Sequence, residues 1–439
     1  MTNDSDPGSA ASPPASGTAA RGAIFGLFPP LNPREWRVFG IAATAGFFDN
    51  YDTALLSLAL TQIQRGLGMA EAHLGEMLSI VRLGYLLSLA IAPLADALGR
   101  RRLLLFTIFG YTFFTGLSAI APGEKSFIAA QCMARAFAGT EEVVALVIVA
   151  EEVRAGVRGW MIGMLGALIA SGYGLAAIAF AFIHTVPYGW RGLYALALVP
   201  LLIIAPLRRL LPESHRFEHE RLQKGALRSR LIEPLADLIR LSPGRLAMLL
   251  GASFLIAMGS NPASYLYAKY LQDAHRWSPG QVSSLVFFGG AIGIIGNIFS
   301  GRLSDRFGRR TMGALFTLLG PLFTVWMFTA RNNSVIAAWV LRLFFDTASA
   351  TIVSAYAAEL FPTSYRASAG SAMLVASTLG GALGLTLEAL LYGVTGSHWS
   401  AISYLNGFSM LAPIIIYRFF PETAGRELEA ISQQNISAI

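Results

Sequence analysis

Ionisable side chains interrupt the long apolar runs of this 439-residue chain at Asp49, Asp52, Arg82, Arg135, Glu141, Glu142, Arg342 and Asp346. A charge near the middle of a hydrocarbon layer costs about 2.5–3.5 kcal/mol even on the lenient insertion scale, so each must be paired, protonated or turned to a polar cavity. A carboxyl held there can take up and release a proton. Burial favours its neutral form and a neighbouring guanidinium its charged form, so a carboxylate beside an arginine responds to protonation by letting the arginine go.

Depth and helical phase suggest which of these groups meet. At about 1.5 Å per helical residue, Asp52 lies about 22 Å from the start of its run and Arg135 about 12 Å from the opposite face, so the two can pair. Asp49 is one turn from Asp52 on nearly the same face and is the second candidate for the proton. Arg82 sits at a similar depth, where it can either hold a carboxylate or neutralise Asp49. Glu142, seven residues beyond Arg135, shares its face and is a relay candidate, whereas Glu141 points about 100° away. Arg342 and Asp346 stand at i and i+4, the spacing of a local ion pair. Asn261, Tyr265 and Tyr267 add polar groups in a run containing Gly259 and Asn261-Pro262, where the freed backbone is expected to interrupt a helix beside a cavity. Lys269 and Glu388 fall near run ends, where snorkelling accounts for them.

A second kind of chemistry lies at the ends of the runs. Ala92-Pro-Leu-Ala-Asp96-Ala-Leu-Gly99-Arg100-Arg101 is echoed by Gly301-Arg-Leu-Ser-Asp305-Arg306-Phe-Gly308-Arg309-Arg310. In each, the Asp is expected to lie against a helix N-terminus while the arginines reach Glu152 or Glu359. The echo extends along the chain: Ala92 matches Gly301, Arg135 matches Arg342, Glu152 matches Glu359, Arg158 matches Arg366, and Pro212-Glu-Ser matches Pro421-Glu-Thr, at offsets of 207 to 209 residues. Five features in register indicate duplication.

The elements that must position these residues are membrane helices. The chain is 54% hydrophobic and 13% charged, a composition outside the range of soluble domains. Twelve runs reach the roughly 20 residues a bilayer crossing needs: 37–62, 74–95, 102–121, 127–150, 159–183, 191–210, 246–270, 281–301, 311–330, 335–358, 367–391 and 400–419. The expected organisation is an all-α membrane protein of two pseudo-symmetric six-helix bundles, residues 36–211 and 246–420. An Arg-rich linker, 212–245, joins them, and tails of residues 1–35 and 421–439 flank them. The first tail, rich in Ala, Ser, Pro and Gly, reads as disordered and not as a cleaved signal. With both termini inside, only Arg65, Lys125, Arg191, Lys269, Arg276 and Arg331 fall in outer loops or at their edges, which satisfies the positive-inside asymmetry. The net charge of +7 is then a topological signal near anionic headgroups, with no nucleic acid partner implied. The single Cys132 excludes an intrachain disulfide.

The paired Asp-x-x-Gly-Arg-Arg hairpins, Arg135-x-x-x-Gly139, Glu152, Pro212-Glu-Ser-His-Arg-Phe and Pro421-Glu-Thr-Ala-Gly-Arg-Glu-Leu-Glu together resemble the major facilitator superfamily over about residues 37–430. The Pro-Glu segments are similar to those of its sugar porter and metabolite:proton symporter branches. Tyr51-Asp52-Thr53-Ala54 is similar to the first-span signature of proton-coupled sugar porters, and Asp49-x-x-Asp52 to that of aromatic-acid symporters. The resemblance implies a transporter that alternates access around a central site, with a proton on Asp52 or Asp49 governing Arg135. It further implies a cytoplasmic gate of Asp96, Gly99, Arg100, Glu152 and Arg158 in one half and Asp305, Gly308, Arg309, Glu359 and Arg366 in the other. The first copy departs from the family pattern at Ala92 and Ala97, and a weaker clasp is expected there.

The expected function is proton-coupled uptake of a small polar metabolite through the cell membrane, with no cofactor, no metal and no enzymatic step. An organic acid ranks ahead of a sugar because Arg82, Arg135 and Arg342 are available while Leu255 and Ile256 replace the paired glutamines of hexose carriers. In-span acids keep an organic cation as an alternative. Proton-driven export is a further alternative, without the Gly-Pro motif it would bring between residues 159 and 182. One chain supplies both bundles, so a monomer suffices.

Overall fold

The computed structural model describes residues 32–92, 94, 99–152, 155–198, 237–240, 242–362 and 365–424. Asp96, the end of the sixth predicted span and nearly all of both tails and the linker lie outside the described residues, as do the side chains of Arg100, Glu142, Glu152 and Arg158. The described chain is helical: α1 (Pro33–Leu58), α2 (Leu60–Leu67), α3 (Leu74–Ile91), α4 (Arg100–Ala119), α5 (Glu124–Glu152), α6 (Ala155–Ala181), α7 (Trp190–Leu196), α8 (Pro243–Asp273), α9 (Pro279–Phe307), α10 (Arg309–Thr329), α11 (Ser334–Glu359), α12 (Arg366–Thr395), α13 (His398–Ser409) and α14 (Ala412–Phe419). Eight segments of the described residues are long and apolar enough to cross a membrane, α13 and α14 counting as one. With α1 continuing into α2, the long helices α5 and α9, and α7 at the start of the sixth predicted run, the described helices fall on all twelve predicted runs.

Local signals set several boundaries. Ser278 and Gln281 form a capping box ahead of Pro279 at the start of α9, satisfying N–H groups that the first turn leaves without partners. Gly99 and Gly308 stand immediately before α4 and α10 at φ 94° and 93°, a conformation that only glycine adopts readily. That the two repeats share it shows duplication at the level of the backbone.

Packing repeats with the sequence. Helix α1 packs chiefly on α6 as α8 does on α12, and α3 on α5 as α9 on α11. A Cβ at Gly172 would collide with the Phe47 carbonyl, and one at Gly380, 208 residues on, with the Phe254 carbonyl, 207 residues on. Small residues let these backbones touch in both halves. The halves meet through α3 on α12, α6 on α9 and α1 on α8. The Ser57 hydroxyl donates to the Ser264 carbonyl at 2.8 Å, a pair separated by the repeat offset of 207. Equivalent residues of a two-fold repeat touch only on its axis, so α1 and α8 cross there.

The core is divided unevenly along that axis. Toward the end carrying α2 and the α8–α9 connection, here the distal end, one apolar cluster runs through both halves, from Leu55 and Phe127 to Leu266 and Trp339. Toward the basic hairpins each half has its own cluster, around Leu104 and Leu165 in the first and Leu249 and Tyr356 in the second. The inter-half hydrogen bonds among the described residues follow the same division, all lying in the distal half: Gln62 to Gln272 at 2.7 Å, Ser79 to the Ala382 carbonyl at 2.9 Å and Tyr173 to Tyr267 at 3.1 Å.

One expectation is corrected. Helix α8 runs unbroken through Asn261-Pro262. The Asn261 side-chain amide donates to the Ala257 carbonyl at 2.9 Å, next to the Met258 carbonyl that Pro262 cannot serve, and Gly380 and Gly384 bring α12 against this stretch. Close packing on both sides keeps the helix whole where composition alone suggested a break.

Candidate functional site

Helix α1 presents Asp49, Asp52 and Thr53 to Arg135 of α5. The Arg135 guanidinium donates through Nη2 to Asp52 and to Gln131 Oε1 at 3.4 Å, and through Nη1 to Thr53 Oγ1 and to Asp49 Oδ1 at 3.3 Å. Arg135 and Asp52 are each wholly buried, and Asp49 nearly so. Neighbouring spans hold this frame: the Tyr51 hydroxyl donates to the Leu193 carbonyl at 2.9 Å and the Tyr111 hydroxyl to the Phe48 carbonyl at 2.7 Å. Gln131, oriented by its own bond to Ser118 at 3.1 Å, completes the fork. One arginine therefore bridges both sequence candidates, an arrangement in which protonating either carboxyl weakens its hold on the other group. Asp52 Oδ1 and Arg135 Nε lack hydrogen-bond partners among the described residues.

Asp49 forms an ion pair with Arg135 at 3.3 Å, and no ion pair joins it to Arg82 among the described residues. The Arg82 guanidinium lies over the Tyr85 ring at 5.3 Å, and among the described residues its buried Nε has no hydrogen-bond partner and no carboxylate forms an ion pair with it. Tyr85 in turn lies within electrostatic reach of Asp49, Arg135 and Tyr265. Glu141 is almost fully buried near Tyr111.

The second half carries different chemistry. Adding 207 to 209 to Asp49 and Asp52 leads to Ile256, Ala257, Met258 and to Gly259, Ser260, Asn261, so the repeat mate of Arg135 finds no acid on α8. Arg342 turns instead to Ser264 Oγ at 2.6 Å and to Asp346 on its own helix at 3.3 Å, the local pair its spacing predicts. Where the first half has an ion pair between helices, this half has a cavity of about 300 Å³ lined by Asp346, Asn261, Asn406 and several serines, with Phe316, Pro321 and Met373 as apolar walls. A few polar groups set in an apolar pocket of this size suit a small ligand. Tyr265 and Tyr267 do not line it: both are buried in the inter-half seam, where Tyr267 meets Tyr173 and Trp339.

At the basic end Arg309 reaches Glu359 at 2.7 Å and Asp305 at 3.2 Å. The carboxylate seated on the α10 N-terminus is not Asp305, which is 65% exposed; it is Glu422. The Arg309 and Arg310 backbone N–H groups donate to its two oxygens at 2.7 and 3.2 Å. Burial alone would raise the Glu422 pKa, but these donors and those of Thr423 and Ala424 outweigh it and hold the carboxyl below its ordinary value of 4.5. Asp305 ends α9 just before the turn at Gly308, too early to cap α10 itself. The Arg366 Nε donates to the Phe361 carbonyl at 3.3 Å.

The structure also gathers a cluster that sequence reasoning missed. Lys269 is 2% exposed and bonds Gln64 at 2.7 Å, Glu71 at 3.0 Å and Asp273 at 2.7 Å. Glu388 is fully buried beside His398. Neither side chain snorkels, because each head group points into the distal seam. The i, i+4 spacing of Lys269 and Asp273 was a visible signal; nothing in the sequence pairs Glu71 with a histidine 327 residues away.

Comparison with known proteins places this geometry. The chain is 23% identical to the "Probable 4-methylmuconolactone transporter" of Cupriavidus pinatubonensis, over 93% of this chain and 96% of that one. It is 24% identical to the 4-hydroxybenzoate transporter PcaK of Pseudomonas aeruginosa, over 83% and 88%. The inward-open xylose transporter XylE of E. coli has a similar fold, with a TM-score of 0.71 at 16% identity over 90% of this chain and 99% of that one. The sequence model of the Major Facilitator Superfamily matches residues 42–259 and 248–436. The chain belongs to the Major Facilitator Superfamily, a multi-pass membrane transporter of small molecules and not an enzyme.

Proposed function

We propose that this transporter couples uptake of a small organic acid to protons by alternating access across the cell membrane, with both termini in the cytoplasm. Asp52 carries the proton, with Asp49 beside it. Protonated, Asp52 releases Arg135; ionised, it draws Arg135 back. The observation that carries the choice of substrate is Arg82, a half-buried in-span cation with no acidic partner among the described residues, on the same helix face region as Tyr85 and near the Arg135 cluster. A carboxylate on a compact substrate completes it. The names of the two relatives, a muconolactone and a hydroxybenzoate transporter, fit a compact ring of this kind. With the distal end closed, the state described is the one facing inward.

A second reading, an organic cation, is favoured by Asp346, which places a carboxylate on the cavity wall. Thermal-shift titration of the purified protein with 4-hydroxybenzoate, xylose and an aromatic amine separates the two. The expected result is stabilisation by the carboxylate, weakened about 10- to 100-fold in apparent affinity by Arg82→Gln, the cost of about 1.5–3 kcal/mol for one charged hydrogen bond. Stabilisation by the amine alone, lost in Asp346→Asn, overturns the organic acid.

A further inference from the structure

The distal seam holds an imidazole between two carboxylates. His398 Nδ1 lies 2.5 Å from Glu388 Oε1 and its Nε2 3.2 Å from Glu71 Oε2. Glu388, on α12, belongs to the same half as His398; Glu71, in the turn before α3, belongs to the other. A carboxylate only accepts, so two short contacts require N–H on both ring nitrogens, or a proton on one of the acids. For both contacts to be hydrogen bonds, the closed seam must hold one proton more than neutral imidazole and two carboxylates would carry.

The surroundings fix what happens when that proton leaves. Glu388 is fully buried, its second oxygen has no hydrogen-bond partner among the described residues, and the backbone of Gly75 on α3 sits directly against that oxygen. Its hold on His398 is therefore the stronger. Glu71 has an alternative in Lys269, which Gln64 and Asp273 also hold. Tyr392 stacks on the ring at 4.1 Å and contributes no formal charge; Arg65 reaches only Asp273, from the surface. Neutral His398 keeps its one N–H for Glu388 and turns a lone pair toward Glu71, so attraction across the seam becomes repulsion.

We propose that Glu71, His398 and Glu388 form a second proton site, which latches the two halves at the distal end when occupied and releases them when empty. It is separate from the Asp52–Arg135 pair: it is set in the seam between the halves, and it governs opening of the distal gate. An imidazole suits the task because its unperturbed pKa of about 6.5 puts the switch near physiological pH.

The test uses the full chain in lipid nanodiscs, with Cys132→Ser and spin labels at Lys125→Cys, exposed in the first turn of α5, and Asn332→Cys, exposed in the loop between α10 and α11, at the distal end of opposite halves. Between about pH 5.5 and about pH 8.5 the ratio of distal-open to distal-closed distances should rise about tenfold, the equivalent of one pKa unit of coupling. His398→Gln and Glu388→Gln should each reduce that change to under about twofold. A wild-type distribution that ignores pH, or a tenfold response surviving both gate variants, overturns the proposal. Should His398→Gln fail to fold, Glu388→Gln decides alone. Because the readout is a distance and not transport, its failure is distinguishable from failure of coupling at Asp52.

Discussion

At the scale of the residue, Arg135 organises the first half by holding four groups at once, two of them carboxylates. Removing one partner of a buried pair leaves an uncompensated charge, which costs about 3–5 kcal/mol. Arg135→Gln is therefore expected to lower unfolding stability by about that amount, and Asp49→Asn in the same background to recover part of it, as measured by denaturant titration in detergent. The pair was legible in the sequence because charges in apolar runs are costly enough to demand partners, and helical rise fixes their depth. Two things were not legible. Arg135 serves both acids, and Arg82 has no acidic partner among the described residues, because that depends on side-chain reach within the bundle. His398 and Glu71 meet because of the docking of the halves, which no local pattern encodes.

At the scale of the element, the repeated hairpin explains itself through Gly308 and Glu422. Positive φ at Gly308 turns the chain from α9 into α10, and Glu422 arrives from beyond α14 to cap the exposed N–H groups. The spacing of Asp, Gly and Arg made the turn legible and gave the pairing of Arg309 with Glu359. It misassigned the cap, since the Pro421-Glu422 motif lies 113 residues away in sequence and only the closing of the bundle brings it back. Glu422→Gln is expected to cost about 0.3–1 kcal/mol, the worth of a charge at a helix N-terminus. The sign with pH follows from the lowered pKa: the contribution is complete above 4.5, the ordinary value, and is lost as pH falls through the lower folded-state value. Melting curves of wild type and Glu422→Gln should accordingly differ at neutral pH and converge in acid below pH 4.5. The opposite error occurred in α8, where Asn261-Pro262 suggested a break that close packing by α12 prevents.

At the scale of the whole molecule, duplication supplied two bundles and divergence gave them different tasks. The first keeps the acids that meet Arg135 and the second, whose equivalent positions on α8 are Ile256 to Asn261, keeps the cavity. Duplication was legible from the 207 to 209 offsets; the closed distal seam was not, because alternative dockings of the same two bundles bury similar residues. Ser79 and Thr386 hydroxyls meet across that seam at 2.9 Å. In a Cys132→Ser background, Ser79→Cys with Thr386→Cys should form a disulfide that lowers transport at least about tenfold and is reversed by reductant, as expected if the seam must open. Coupling rests on Asp52 as the proton carrier. Uptake into proteoliposomes under an imposed inward proton gradient, with radiolabelled 4-hydroxybenzoate as probe, tests it by comparing wild type with Asp52→Asn. Wild type should accumulate the probe and the variant should only exchange it down to equilibrium; accumulation by Asp52→Asn to the wild-type level would rule out Asp52 as the carrier.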